Sequence, residues 1–232
     1  MPQQPVTPST ARDGADTLPL TDAAQAKDLA TLLSRARHLD EQAAVRLQSR
    51  GAVLAAWVPV MTSATLLDEL PTVIGMRAVH LARPTVCDLT VPAAAVLERL
   101  ARLEAKGWPN PLLLTAPPVT VAPAWAAAMP GSSGWVHRGQ VSDQRLDQIA
   151  RAGAEALEQA LPKDPGQALV TTVRARIWGD PQDEGFPAGA AFGAAVLGFL
   201  GGGQSTLYAQ GPWARLSNAR GHLIARAGTG RS

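Results

Sequence analysis

The sequence is short of charge, lysine, aromatic side chains and cysteine. Of its 232 residues 17% are charged and 4% are aromatic; three are Lys, and Cys87 is the one cysteine. A lone thiol makes neither an intrachain disulfide nor a thiolate metal cluster, which excludes a disulfide scaffold and points to a reducing, cytoplasmic setting. Residues 1–20 lack a basic stretch followed by an apolar core, so no signal peptide is expected. Two long stretches have no charge at all, residues 110–136 and 185–213. The first contains Pro111, Pro117, Pro118, Pro123 and Pro130, which no spanning helix would carry together. The second has an apolar centre of only about 13 residues, against the roughly 20 that a membrane helix needs. Gly189 and Gly193 have the spacing of a close helix contact, so a buried helix packed through small residues is expected there instead of a membrane span.

What is present is small and apolar. Hydrophobic residues make up 46% of the chain, which excludes a disordered polar polypeptide, and 43 residues are Ala. Basic residues are 18 Arg and 3 Lys, a bias that, with the Ala and Pro excess, fits the residue usage of a high-GC genome. The net charge of +2 is uneven. No acidic residue follows Glu184, whereas Arg215, Arg220, Arg226 and Arg231 do, so the last 48 residues carry +4 and the rest −2.

The pattern along the chain predicts an α+β fold: two halves, each combining helices with antiparallel hairpins, behind a disordered N-terminal arm. The arm is residues 1–20, rich in Pro, Gln, Ser and Thr. The N-terminal half is 21–107, a Pro-rich connector follows at 108–134, and the C-terminal half is 135–232. Thr21 is expected to cap a first helix over 22–38, with Leu29, Leu32, Leu33, Ala36 and Leu39 at helical spacing. Residues 44–48 and 52–60 read as a hairpin turning at Gly51, where a left-handed residue is needed. Residues 62–67, 76–82, 86–91 and 112–114 read as strands. Pro92 opens a helix that Gly107 ends. Ser142 caps an amphipathic helix over 143–161, with Gly153 a costly residue in its middle. Residues 167–178 fit either a helix or a strand, and their Val, Thr, Ile and Trp tilt the reading to strand. Pro187 opens the small-residue helix, and the chain ends as a meander over 206–210, 213–217 and 222–226. Each half places a Trp on a strand after a helix, Trp57 and Trp213, too short a match to establish a duplication.

No motif carries a chemistry. Residues 198–205 have the spacing of a phosphate loop, but Gln204 stands where Lys is required, and the order runs helix to strand. Residues 131–134 are one position short of a nucleophile elbow. His38, His80, His137 and His222 lie in separate segments without a metal-ligand spacing, so no metal and no cofactor is expected. Cys87, beside Asp88 and within reach of His80, reads as a small buried thiol.

Three stretches resemble a group of uncharacterised proteins from high-GC Gram-positive bacteria: residues 39–47 (LDEQAAVRL), Ser133-Gly134-Trp135, and residues 198–200 (GFL) with 211–216 (GPWARL). The resemblance implies one inherited unit and no activity.

The leading expectation is therefore a cytoplasmic, non-enzymatic binding or assembly protein, with homodimerisation as one way to cover its strand edges. One alternative is a small-molecule enzyme with its site between the halves, where His80, Asp88, Trp135 and His137 are the candidate ligand groups. The other is a nucleic-acid surface on the basic meander, carried by Arg215, Arg220 and Arg226. No catalytic residue is singled out.

Overall fold

The computed structural model describes residues 17–62 and 69–228. In chain order the first half comprises β1 (Thr17–Leu20), α1 (Ala23–Leu39), β2 (Ala44–Arg50), β3 (Val53–Met61), β4 (Thr72–His80), β5 (Asp88–Pro92), α2 (Ala93–Ala105) and β6 (Leu112–Thr115). After a single turn of helix, α3 (Ala124–Ala127), the second half comprises β7 (Val136–Ser142), α4 (Asp143–Ala160), α5 (Gln167–Trp178), α6 (Ala188–Val196), β8 (Gln204–Gln210), β9 (Trp213–Asn218) and β10 (Gly221–Arg226).

Eight strands form one antiparallel sheet in the order β5-β2-β3-β4-β10-β9-β8-β7, and β1 pairs with β6 in a separate ribbon. The order is symmetric about the β4–β10 seam. Each edge strand, β5 or β7, runs straight into a helix, and each neighbouring strand, β2 or β8, follows one. On one face α1 packs with α2 and α4 packs with α6, so the helices repeat the same relation. Trp57 lies on β3 and Trp213 on β9, equivalent strands of the two halves.

Period-two alternation decides what each face buries. Val45, Leu47, Leu54, Ala56, Val58, Val73, Val79, Leu207, Leu216 and Leu223 point to the helices and form the main core. The opposite, open face bears Arg46, Gln48, Trp57, Met76, Ile224 and Arg215, on strands paired Arg46↔Trp57↔Met76↔His222 and Ile224↔Arg215↔Tyr208. The seam holds because small residues let α6 lie directly on it. A Cβ on Gly193 would stand 2.9 Å from both Val73 of β4 and Leu223 of β10. Gly75 in mid-β4 likewise makes room for Leu197.

The α+β architecture agrees with the sequence reading; several elements do not. Residues 167–178 form helix α5, not a strand. The Thr171 and Thr172 hydroxyls donate to the Gln167 and Ala168 carbonyls four residues back, a bond that Thr makes inside helices. Residues 17–20, assigned above to the arm, form β1 against β6. Asp22, not Thr21, caps α1, accepting from the Gln25 N–H at 3.0 Å. Strand β4 runs from Thr72 to His80 instead of the expected 76–82; Thr72 to Gly75 are all buried, so its first part has no alternation to read. Strand β7 went unforeseen: it is a polar edge strand with a bulge between His137 and Gly139. The strand expected over 62–67 lies, apart from Thr62, outside the described residues. The turn at Gly51 (φ 61°) is as expected.

Gly153 has a packing reason. It is buried in α4, and a Cβ there would collide with the ring of Trp178, itself only 1% exposed at the end of α5. Gly153→Ala is therefore expected to destabilise by about 1–3 kcal/mol through overpacking, although Ala is the better helix former. Urea unfolding will show a lowered midpoint; an unchanged or raised midpoint would mean that the Trp178 ring yields freely.

Candidate binding site

The Pro-rich connector does more than join the halves. It crosses the open face of the sheet and is pinned there. Trp125 of α3, 7% exposed, packs with Ile74, Trp213 and Ile224 across the β4–β10 seam, joined by Trp57, Met129 and Trp135. The Val121 N–H donates to the Thr90 carbonyl of edge strand β5 at 2.9 Å. Arg46 donates from Nη1 to the Ala126 carbonyl at 2.7 Å. Gln210 donates from Nε2 to the Ser133 carbonyl at 2.6 Å, and the Trp135 indole N–H closes a loop on the Gly131 carbonyl.

Between connector and sheet lies a cavity of about 640 Å³. Its floor is Trp57, Met76 and Ile224, its roof runs from Ala126 to Ser132, and Trp135 forms a wall. Arg46, Gln48 and Arg50 of β2 and Arg215 of β9 supply its polar groups. Alternation along β2 places Arg46, Gln48 and Arg50 on one face, while Val45 and Leu47 enter the core.

The guanidinium groups differ in their surroundings. Arg46 makes a two-pronged pair with Asp88, at 2.8 Å from each of Nε and Nη2, and Gln48 adds a third bond to that carboxylate at 3.1 Å. The Arg46 hydrogen bonds hold the Asp88 carboxyl below the usual carboxylate range. Arg215 has no carboxylate partner among the described residues. Its charge lies between two π faces, 4.6 Å from the Trp135 ring centre and 4.4 Å from that of Tyr208. Burial pushes its pKa down, and its Nε is buried without an acceptor. The Trp57 indole N–H is buried and unpartnered too. Each such donor costs about 1–3 kcal/mol unless something accepts from it.

The four ligand candidates named from sequence fare differently. Trp135 lines the cavity, and Asp88 acts on it through Arg46. His80 ends β4 opposite Val53, with its backbone N–H bonded to Gln25, and is absent from the lining. His137 sits on β7 edge-on to Tyr208, with ring centres 5.8 Å apart. Cys87 donates to the Leu47 carbonyl, and burial, with the Asp88 charge, pushes its thiol up to about 11, so it stays protonated. Arg215, Arg220 and Arg226 do not form one patch. Arg226 stacks over Trp213 on the open face, whereas Arg220 lies in the β9–β10 turn near Gly201. Among the described residues no group of three or more His, Cys, Asp or Glu could hold a metal, and no helix is long and apolar enough to cross a membrane.

The glycine run at 201–203 binds an anion supplied by its own chain. The N–H groups of Gly201, Gly202 and Gly203 all donate to Asp143 Oδ2, at 2.5, 2.7 and 3.0 Å. The nest that resembled a phosphate loop is thus filled by a carboxylate at the start of α4.

Sequence reading missed Arg46, Arg50, Trp57, Met76 and Ile224. Their alternation on β2, β3, β4 and β10 was legible. That these strands are neighbours across a seam was not, because the seam joins residues about 150 positions apart.

The fold as a whole is similar to that of solved sliding clamps. The DNA polymerase sliding clamp from Caulobacter crescentus superposes with a TM-score of 0.50 at 16% identity, over 94% of this chain and 67% of the clamp. That from Pseudomonas aeruginosa gives 0.48 at 13% identity, over 94% and 65%. The chain spans about two thirds of the length of these clamps, and at such identity the likeness is one of fold alone. Residues 14–127 match the domain family DUF8010 and residues 130–230 the domain family DUF8185, each a domain of unknown function. The two meet inside the connector. No curated protein matches the chain.

His222, bonded through Nδ1 to Ser217 Oγ at 2.8 Å, is held below its ordinary 6.5 by burial and by the Arg215 charge. The folded state therefore resists protonating it, and its contribution is complete above pH 6.5 and lost as pH falls through the depressed value. Denaturant stability is expected to decline from pH 7 to pH 5, and His222→Gln to flatten that part of the slope. A parent and variant with parallel pH profiles would contradict this assignment.

Proposed function

We propose that this chain is a non-enzymatic binding protein that uses a clamp-like scaffold to hold a small ligand at the seam of its halves. The observation that carries the reading is the roofed cavity, whose size falls in the range of about 300–1,000 Å³ usual for ligand sites. Its walls come from both halves and the connector. Binding is favoured over turnover because Cys87, His80 and His137 lie outside the lining and Asp88 is committed to Arg46. The names of the solved clamps raise DNA as a partner, yet α4 carries Asp143, Asp147, Glu155 and Glu158 against only Arg145 and Arg151, the wrong sign for a phosphate backbone. Arg215 and Arg226 are engaged with aromatic rings.

The test is a thermal-shift screen against a metabolite collection. A ligand at a hundred times its Kd adds about 2.7 kcal/mol, so at least one compound should raise Tm by several degrees. Ser132→Trp, which plugs the cavity mouth, should remove that shift. A screen without a stabilised condition, or with shifts unaffected by the plug, would overturn the reading.

A second reading, self-association, is favoured by β7. This strand has seven residues, pairs among the described residues only with β8, and leaves Val136 54% exposed at the sheet edge. Light scattering at micromolar concentration is expected to give a dimer mass, and Val136→Lys the monomer mass. A monomeric parent protein would end this reading.

A further inference from the structure

The geometry points to an organic anion with an apolar body as the ligand of the seam cavity; this inference rests on the cavity being a binding site. The cavity contains more positive charge than it answers. Asp88 satisfies Arg46 at 2.8 Å through both prongs. Among the described residues no carboxylate pairs with Arg215 or with Arg50, which stands exposed at the rim. A guanidinium pressed between Trp135 and Tyr208 keeps its charge in a place where burial opposes it. An anionic group beside it would relieve that opposition.

The rest of the lining selects the body of the ligand. Met76, Met129 and Ile224 present apolar surface, and two of them are flexible thioethers that adapt to irregular shapes. Trp57 and Trp135 add aromatic surface to the same lining. Inorganic phosphate would leave this apolar floor wet, and a neutral hydrocarbon would leave Arg215 unanswered. A carboxylate, sulfonate or phosphate joined to an aromatic or aliphatic body meets both conditions at once. The Arg50 side chain at the mouth would draw the charged end in first.

The experiment uses two probes with one ring body, 8-anilinonaphthalene-1-sulfonate and its neutral counterpart N-phenyl-1-naphthylamine, titrated into the full chain with fluorescence readout. The sulfonate is expected to bind once per chain and at least tenfold more tightly than the neutral probe. Arg215→Leu should weaken the sulfonate at least tenfold and by a much larger factor than it changes binding of the neutral probe. Arg50→Gln should weaken it severalfold, and because the Arg50 side chain makes no ion pair or hydrogen bond among the described residues, it serves if Arg215→Leu does not fold. Arg220→Ala, in the distant turn, should change neither probe. Equal binding of both probes, insensitive to Arg215 and Arg50, would overturn anion selection while leaving a binding cavity. Loss of sulfonate binding in Arg220→Ala would place the anion elsewhere and overturn the inference. Binding of neither probe would count against the cavity as a site at all.

Discussion

Everything in this molecule depends on the pairing of β4 with β10. Five residue pairs, from His222↔Met76 to Arg226↔Thr72, turn two four-stranded sheets into one of eight strands. Antiparallel strands lie about 4.8 Å apart, a distance that tolerates no bulky intruder at the joint. Gly193 of α6, closed down on Val73 and Leu223, meets that condition on the helix side. On the other side Trp125 covers Ile74 and Ile224. The seam is thus sandwiched between a helix that meets it through Gly193 and a tryptophan delivered by the connector.

The two faces of the sheet have been put to different use. The helix face is conventional core, filled by Val, Leu and Ala in alternation. Among the described residues the open face is covered only by the connector, which is too irregular to pack flush against a pleated sheet. Proline-rich backbone has few N–H groups to satisfy, so it can lie over side chains without a ladder of its own. It touches down through Trp125 and a few hydrogen bonds, and the space it fails to fill is the cavity. Symmetry of the strands does not extend to this roof, which leans on β2 and β3 of the first half and reaches the second through Trp125, Trp135 and Ser133.

What the sequence disclosed followed local physics. Gly51, Gly107, Pro92 and Ser142 punctuate elements by backbone rules that need no tertiary context. The stripes of α1 and α4 are read directly from Leu and Ile spacing. The failures are equally physical. The β propensity of residues 167–178 is overridden by tertiary packing, which buries Ala175 and Trp178 on one side of helix α5. Strand β7 lacks a hydrophobic face because it is an edge, and its bulge breaks the period. Of the site, Trp135 was legible as an aromatic following a glycine turn. Arg46 and Trp57 were not, since their meaning depends on which strands are neighbours.

The position of the cavity astride the seam has a thermodynamic consequence. Any occupant touching Met76 and Arg50 on one side and Arg215 and Ile224 on the other bridges the two halves. By mass action, such an occupant raises the cohesion of the halves by as much as their union raises its affinity. Filling the cavity and holding the halves together are therefore one equilibrium, and the molecule is stiffest across its middle when it is loaded.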